Sequence, residues 1–281
     1  MKTLIIGASG MLGHDLVRAF QELRHDILAP PHKELDITRS DSVRDYVSRE
    51  KPQCVVLSAG FTRVDDCESQ RETAFAVNAE GPRHVAQACR ESGAKLVYVS
   101  TDYVFNGQKT GPYTEDDPAG PINVYGQSKL AGENYIRELS RDYLIVRASW
   151  LYGLNGRNFV ETILNKARTV TELRVVDDQK GAPTYAKDLA EAIAILVARG
   201  AGGTVNVANS QTCTWFEFAR TILQLQGITG VDVRPVTSEE FKAPARRPAN
   251  SILSGDRYRS LTGKTLRPWK EALADYLRAR G

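Results

Sequence analysis

The stretch Lys2-Thr3-Leu4-Ile5-Ile6-Gly7-Ala8-Ser9-Gly10-Met11-Leu12-Gly13 decides the fold class of this chain. Its first half is a short apolar run typical of a buried strand, and Leu12–Leu23 continues with helical periodicity. Glycine at every third position between them lets the backbone approach a pyrophosphate at the helix N-terminus. A tight turn without a ligand is the alternative, but strand and helix lie where the motif requires them. We predict a dinucleotide site formed by Gly7, Ser9, Gly10, Met11, Leu12 and Gly13.

Short apolar runs alternate with helix-length amphipathic segments through the first two hundred residues, which predicts parallel βαβ units. Runs such as Val55-Val56-Leu57 are apolar throughout, so these strands should be buried on both faces. The predicted strands are Thr3–Ile6, Asp26–Ala29, Cys54–Ser58, Lys95–Ser100, Tyr143–Arg147 and Thr204–Val207. The predicted helices are Met11–Leu23, Ser40–Glu50, Gln70–Ser92, Tyr125–Ser140 and Tyr185–Ala198. The pattern predicts an α/β fold with a Rossmann-type doubly wound parallel sheet.

The regular alternation of predicted strands and helices ends after Arg147. Loops rich in Gly and Asn follow, and a Pro-rich region extends from Pro235 to Pro248. Thr214–Leu225 is predicted to be a helix, with Thr214 as its N-cap and Glu217 completing a capping box. A last helix is predicted over Trp269–Arg278. We predict a dinucleotide-binding Rossmann domain over residues 1–150, to which 185–208 return, and a smaller carboxy-terminal substrate-binding lobe over 151–184 and 209–281.

Composition excludes several classes of partner. The 281 residues are 42% apolar and 25% charged with a net charge of +3, as in ordinary globular proteins. The basic residues are scattered and not interleaved with aromatics, so we expect no nucleic-acid partner. No apolar run approaches the ~18 residues of a membrane span, and no cleavable leader is recognisable, so we expect a cytoplasmic protein. The four cysteines lack metal-binding or redox spacing.

The end of the second predicted strand bears on the choice of cofactor. The segment Ala29-Pro30-Pro31-His32-Lys33 has no acid to bind ribose hydroxyls and two potential cations that suit a 2′-phosphate, which favours NADPH, with NADH still possible. Asp36, next to Ile37, could accept from an adenine amino group or cap the helix near Ser40. Ala59 and Gly60 could let the cofactor pass or only form a strand-end turn.

Two further segments carry the candidate chemistry. Thr101 follows an apolar strand, at the carboxyl edge where open α/β sheets bind ligands, and its hydroxyl can orient a substrate carbonyl. Tyr125 and Lys129 are four residues apart on a helix and share one face. An ammonium beside a phenol lowers a pKa that is ordinarily ~10, which would make Tyr125 a proton donor near neutral pH. Lys129 would also hold a nicotinamide ribose.

Aromatic and basic side chains suggest a substrate pocket. The Trp150 indole at a strand end could stack on a base or a sugar, or it could cover the core. Arg246 and Arg247 beside Pro248 could clamp a diphosphate by bidentate hydrogen bonds, or they could be a solvated pair.

A set of recognisable motifs lies along most of the chain: the glycine loop, Leu35-Asp36-Ile37-Thr38, Val64-Asp65-Asp66-Cys67-Glu68, Val77-Asn78-Ala79-Glu80-Gly81, Ser100-Thr101-Asp102-Tyr103-Val104-Phe105, Tyr125-Gly126-Gln127-Ser128-Lys129-Leu130, Arg147-Ala148-Ser149-Trp150, Gly156-Arg157-Asn158-Phe159-Val160, Asp178-Gln179-Lys180-Gly181-Ala182-Pro183-Thr184 and Arg247-Pro248-Ala249-Asn250-Ser251. Taken together, these motifs resemble those of the extended short-chain dehydrogenase/reductases and, within them, the dTDP-4-dehydrorhamnose reductase family.

The resemblance implies NADPH-dependent reduction of the C4 ketone of dTDP-4-dehydro-6-deoxy-L-mannose to dTDP-L-rhamnose by a monomer or homodimer. It implies a catalytic triad of Thr101, Tyr125 and Lys129, and a structural role for Asn78. It also implies a sugar and nucleotide pocket that contains Thr62, Val64, Asp102, Tyr103 and Trp150.

Differences between this sequence and the motifs of related enzymes limit which reaction and which metal site we expect. Sugar-nucleotide 4,6-dehydratases carry Thr-Asp-Glu, whereas Tyr103 follows Asp102 here, so we expect reduction and not elimination. Asp15 matches one of the positions through which some family members bind magnesium, but the carboxy-terminal acid has no clear equivalent, so we predict no metal site. Two alternatives stay open: reduction of another nucleotide-linked 4-ketosugar, and a non-catalytic regulatory subunit of methionine adenosyltransferase.

Overall fold

The computed structural model describes residues 1–281 and contains twelve strands and twelve α-helices. The strands are β1 (Lys2–Ile6), β2 (Asp26–Leu28), β3 (Cys54–Leu57), β4 (Lys95–Thr101), β5 (Tyr143–Ala148), β6 (Leu151–Tyr152), β7 (Glu172–Val176), β8 (Lys180–Gly181), β9 (Thr184–Tyr185), β10 (Gly203–Asn206), β11 (Cys213–Thr214) and β12 (Asp232–Val236). The helices are α1 (Met11–Glu22), α2 (Ser40–Glu50), α3 (Val64–Ser69), α4 (Arg71–Phe75), α5 (Gly81–Ser92), α6 (Val124–Leu139), α7 (Phe159–Lys166), α8 (Ala186–Ala198), α9 (Trp215–Leu225), α10 (Ser238–Phe241), α11 (Asp256–Thr262) and α12 (Trp269–Arg280). None of these helices combines the length and the apolar character that a membrane crossing requires.

The central element is a six-stranded parallel sheet in the order β10-β5-β4-β3-β1-β2. Its central strands are apolar because helices cover both faces: Leu4, Val55 and Ile145 are fully buried. The strand order reverses at β1, between β3 and β2, and such a switch point opens a ligand crevice at the carboxyl ends of the strands. The predicted α/β class with a Rossmann-type parallel sheet is confirmed.

Helices pack in one layer on each face of the sheet. Leu16 and Phe20 of α1 meet Ile193 of α8 in one apolar cluster, while Val85 of α5 and Ile136 of α6 belong to a second cluster on the opposite face. The sheet is therefore the middle layer of three, and its carboxyl edge is open to ligands.

A third apolar cluster lies outside the main sheet. Phe218 of α9, Trp269 and Tyr276 of α12 and Val160 of α7 are buried in it, and the small paired strands β7 and β12 lie beside it. The capping box at Thr214 is confirmed: its side chain accepts from the Glu217 backbone N–H at 3.1 Å, and Glu217 accepts from Thr214 N at 2.8 Å. These residues lie within the segments proposed for the smaller lobe.

The predicted helix over Gln70–Ser92 has nearly the predicted bounds, but it is not a regular α-helix: the segment consists of α4, a π-helical turn over Ala76–Glu80 and α5. The wider turn directs Asn78 inward, where its amide bonds both backbone groups of Phe61 at 2.8 and 2.9 Å. Helices α3, α7, α10 and α11 were not predicted, since each is too short for clear periodicity. The other predicted elements agree with the observed bounds within two residues.

The glycine loop between β1 and α1 is packed too closely for side chains. Gly7 has φ of +91°, and a Cβ atom at Gly13 would lie 2.1 Å from the Gly7 carbonyl oxygen. The start of α1 therefore rests directly on the loop backbone, which requires glycine at both positions.

We expect Gly13→Ala to lower the free energy of unfolding by about 1–3 kcal/mol, because the added methyl group must push α1 away from the loop. Denaturant unfolding measures this change. Gly111→Ala is the matched control, since a Cβ there would meet nothing within 4 Å. Equal stability of the two variants would contradict the close packing.

Candidate active site

The first turn of α1 has the features of an anion site. Its N-cap is Gly10, no side chain caps it, and no acidic residue lies in the first turn. Backbone N–H groups therefore remain available at the positive end of the helix, which fits the diphosphate of a dinucleotide. The Leu12 side chain is buried in the core, so this residue can offer only its backbone, and Met11 packs near Gly153 and Gly156.

The remaining predicted cofactor residues lie around the same sheet edge. A Cβ at Gly7 would come within 2.6 Å of Ala59 N, so the ends of β1 and β3 are in contact there, and Gly60 follows on the exposed side. Asp36 Oδ1 accepts from Thr38 N at 2.9 Å and Thr38 Oγ1 at 2.7 Å, so it stabilises its own turn and does not cap α2. Ile37 is buried against Gly81.

Thr101, Asp102 and Tyr103 form the transition from β4 into a short 3₁₀ turn. The Thr101 hydroxyl accepts from Tyr103 N at 3.2 Å and donates to Asp102 Oδ1 at 3.0 Å. The Tyr103 ring meets the Tyr125 ring edge to face, with centroids 5.9 Å apart. The end of β4 and the start of α6 therefore lie against each other, as the two segments predicted to carry the chemistry require.

Tyr125 and Lys129 lie in the first half of α6, whose N-terminus is capped by Asn123 Oδ1 accepting from Gly126 N at 2.7 Å. Lys129 is buried; its Nζ donates to the Val99 carbonyl at 2.7 Å and lies 3.9 Å from the Tyr98 ring centroid. The ammonium is thus held by β4 and not by the phenol.

The pKa of Tyr125 is therefore raised, where the sequence predicted a lowering. Burial is the main cause, and a contact with the Thr101 side chain opposes it. Burial also lowers the pKa of Lys129 to about 7, against the attraction of Glu133. Helix spacing placed the two side chains on one face but could not reveal which partner the ammonium takes.

A cavity of about 640 Å³ borders Tyr103 and extends between α7, α9 and the segment that contains α10. Phe159 and Trp215 form part of an aromatic wall. Trp150 lies behind this wall: its ring stacks on Trp215 with centroids 3.6 Å apart, and a Cβ at Gly181 would be 2.4 Å from Trp150 Cε2. Trp150 therefore supports Trp215, which the sequence analysis missed, and Trp215 borders the cavity.

Basic side chains surround the same cavity. Lys166, Arg174 and Arg246 border it, are exposed, and have no carboxylate partner within 4 Å. Arg247 also borders it, but both of its Nη atoms donate to the Asp65 carboxylate, at 3.0 and 2.9 Å. Lys166 and Arg174 were not predicted, because neither lies in a recognisable motif.

Thr62 and Val64 precede and begin α3, and Thr62 is exposed. Val64 directly precedes Asp65, whose carboxylate pairs with Arg247 at the cavity border, but neither Thr62 nor Val64 lines the cavity itself. Asp15 lies on α1, and burial is the main cause that raises the pKa of its carboxyl.

Comparisons with known proteins identify the family of this chain. The family model described as RmlD substrate binding domain matches residues 1–280. The spore coat polysaccharide biosynthesis protein SpsK of Bacillus subtilis is 43% identical, covering 99% of this chain and 98% of that protein. A probable dTDP-4,6-dihydroxy-2-methyloxan-3-one 4-ketoreductase of Streptomyces antibioticus is 40% identical over 98% of this chain and 94% of that protein.

A solved structure has a similar level of sequence identity to this chain. The dTDP-4-dehydrorhamnose reductase of Bacillus anthracis, in complex with NADP, has a TM-score of 0.96 and 41% identity, covering 99% of this chain and 100% of that one. The match extends over both the parallel sheet and the cavity-forming segments. The chain belongs to the RmlD substrate-binding-domain family, the family of the dTDP-4-dehydrorhamnose reductases.

Proposed function

We propose that this protein uses NADPH to reduce the C4 ketone of dTDP-4-dehydro-6-deoxy-L-mannose to dTDP-L-rhamnose. The observation that carries the proposal is the clustering of Thr101, Tyr125 and Lys129 where the end of β4 meets α6, beside Tyr103, which borders a cavity with an aromatic wall and three cations that lack carboxylate partners. Family membership supports it, since the similar structure from Bacillus anthracis is named for this reaction.

The proposed chemistry assigns one task to each catalytic side chain. A bound NADPH would supply the hydride. Thr101 would donate a hydrogen bond to the ketone oxygen, and Tyr125 would protonate that oxygen as charge develops. Burial suits Tyr125 to this task, because its raised pKa keeps the phenol protonated until it is needed. Lys129, with a pKa of about 7, would stabilise the resulting phenolate while it remains charged.

The cavity supports a nucleotide diphosphate as the substrate handle. Trp215 and Phe159 offer aromatic surface for a base, and Lys166, Arg174 and Arg246 offer positive charge for a diphosphate. Arg247 would contribute from the position set by Asp65. We propose that the smaller lobe binds the substrate through these residues.

Two exposed residues support the preference for NADPH over NADH. His32 and Lys33 follow β2, and neither has a carboxylate partner within 4 Å. Both are available to a 2′-phosphate. The NADP complex of the Bacillus anthracis enzyme supports the same choice.

A second candidate is reduction of another nucleotide-linked 4-ketosugar. The relative from Streptomyces antibioticus favours this candidate. It is 40% identical to this chain and is named as a ketoreductase of a different dTDP-sugar, so relatives at this level of identity are named for different substrates. A non-catalytic regulatory subunit of methionine adenosyltransferase is disfavoured, since Thr101, Tyr125 and Lys129 are all retained.

Tyr125→Phe should reduce kcat by at least about 100-fold, because the variant lacks the proton donor. Cofactor affinity should not change, as measured by NADPH fluorescence titration. Tyr135→Phe removes a hydroxyl from the outer part of the same helix and serves as the control. Wild-type turnover in Tyr125→Phe would refute the proposed donor.

A parallel NADPH-oxidation assay separates the candidate substrates. We expect kcat/KM to be highest for dTDP-4-dehydro-6-deoxy-L-mannose, compared with the D-gluco 4-ketosugar and with UDP-linked analogues. If NADPH were oxidised faster with one of those analogues, that analogue would replace dTDP-4-dehydro-6-deoxy-L-mannose as the proposed substrate. Binding of NADPH without oxidation by any ketosugar would defeat the reductase proposal.

The stability of the protein should depend on the ionisation of Asp102. Burial raises the pKa of Asp102 to about 7, although the nearby Ser251 and Thr101 side chains oppose the change. The folded chain therefore binds a proton that the unfolded chain has lost above about pH 4, and the contribution of Asp102 to stability falls as pH rises from 4 to 7.

We expect Asp102→Asn to gain stability relative to the wild type over that interval, by at most about 4 kcal/mol, because asparagine does not ionise. Urea unfolding at pH 5 and pH 8 measures the difference. A stability difference between the two proteins that is the same at both pH values would show that Asp102 ionises normally.

A further inference from the structure

Glu133 is a fully buried carboxylate that the mechanism above does not use. It lies on α6 one turn beyond Lys129 and two turns beyond Tyr125, so the three side chains share one side of the helix. A buried charge is stable only when partners compensate it. Those partners show what Glu133 does.

Both carboxylate oxygens of Glu133 are fully engaged. Oε1 accepts from Ser100 Oγ at 2.6 Å and from Arg147 Nε at 2.9 Å. Oε2 accepts from an Nη atom of Arg147 at 2.7 Å and from one of Arg137 at 2.6 Å. Although burial would raise the pKa of Glu133, Arg147 and the other partners hold it below its usual range, so the group stays ionised.

These partners lie in the sheet row that precedes the catalytic threonine. Ser100 of β4 and Arg147 of β5 are register partners, and Thr101 is the next residue of β4. Glu133 therefore joins α6 to both strands within one residue of Thr101. A shift of α6 along the sheet would break these bonds and separate Tyr125 and Lys129 from Thr101.

The carboxylate of Glu133 also attracts the ammonium group of Lys129. The groups that contact or influence the Lys129 ammonium are the Val99 carbonyl and the Tyr98 ring of β4 and, one turn further along α6, Glu133. Glu133 is the only one of these with a formal negative charge. Its attraction favours the charged lysine against burial, whereas Arg137 and Arg147 bind the same carboxylate and partly neutralise its charge.

We propose that Glu133 is a positioning residue that seats α6 on the sheet row before Thr101 and holds a negative charge one helical turn from Lys129, a role that rests on the proposed reductase function. Ser100 belongs to the hydrogen-bonded group around Glu133 and not to the substrate site, since its hydroxyl is buried and donates to Glu133.

Direct titration of Lys129 tests the proposal independently of turnover. The full chain labelled with ¹³C-lysine is titrated by NMR, and the Lys129 signal is assigned by its loss in Lys129→Met. We expect Glu133→Gln to lower the Lys129 midpoint by about one pH unit, because a negative charge is lost beside a buried ammonium. Arg137→Met should raise the midpoint by a few tenths of a unit, because it removes an opposing cation.

Glu138→Gln is the matched control, since Glu138 is exposed on the same helix, and it should leave the midpoint unchanged. An unchanged midpoint in folded Glu133→Gln would overturn the proposal, because a purely structural anchor does not affect the titration of Lys129. If Glu133→Gln fails to fold, with Arg147 left unpaired, Arg137→Met decides alone: an upward shift supports the proposal and no shift overturns it.

Kinetics adds a second readout. The alkaline limb of kcat/KM should move to lower pH in Glu133→Gln and to higher pH in Arg137→Met. A wild type that does not reduce any ketosugar would defeat the proposed function, while the NMR titration would still decide the influence of Glu133 on Lys129.

Discussion

The contact between α6 and the end of β4 is the constraint on which the candidate site depends. A Cβ atom at Gly132 would lie 2.3 Å from the Asn78 carbonyl oxygen and 2.8 Å from the Tyr98 hydroxyl, so helix, π turn and strand meet at backbone distance. The Asn78 amide adds a bond to Ser128 of α6 at 3.1 Å. With α6 held on the sheet in this way, Tyr125 and Lys129 have a defined position relative to Thr101.

The close packing around Thr101 also buries the ionisable groups there, and burial favours the neutral form of each. It raises the pKa of Tyr125 and Asp102 and lowers that of Lys129. A proton donor benefits from this environment, whereas an ammonium needs compensation. The ionised carboxylate of Glu133 supplies it, since three hydrogen-bonding partners keep that charge stable inside the protein.

The cavity border depends on contacts between segments that are far apart in the sequence. Asp65 and Arg247 are 182 residues apart in sequence, yet they form a bidentate ion pair at the cavity border. The same carboxylate accepts from Ala245 N at 3.1 Å, which fixes the preceding segment. Residues from the sheet domain therefore set the direction of a cation that belongs to the proposed substrate lobe.

Local sequence determined the parallel sheet, the glycine loop and the shared helix face of Tyr125 and Lys129, since hydrophobic period, glycine geometry and helix spacing act over a few residues. The same signals failed for the π turn at Asn78, whose shape depends on the distant backbone of Phe61. Only the tertiary structure decided that Lys129 binds the Val99 carbonyl and that Trp215, and not Trp150, borders the cavity. The physical reason is that these outcomes depend on burial and on partners far away in the chain, which no local pattern records.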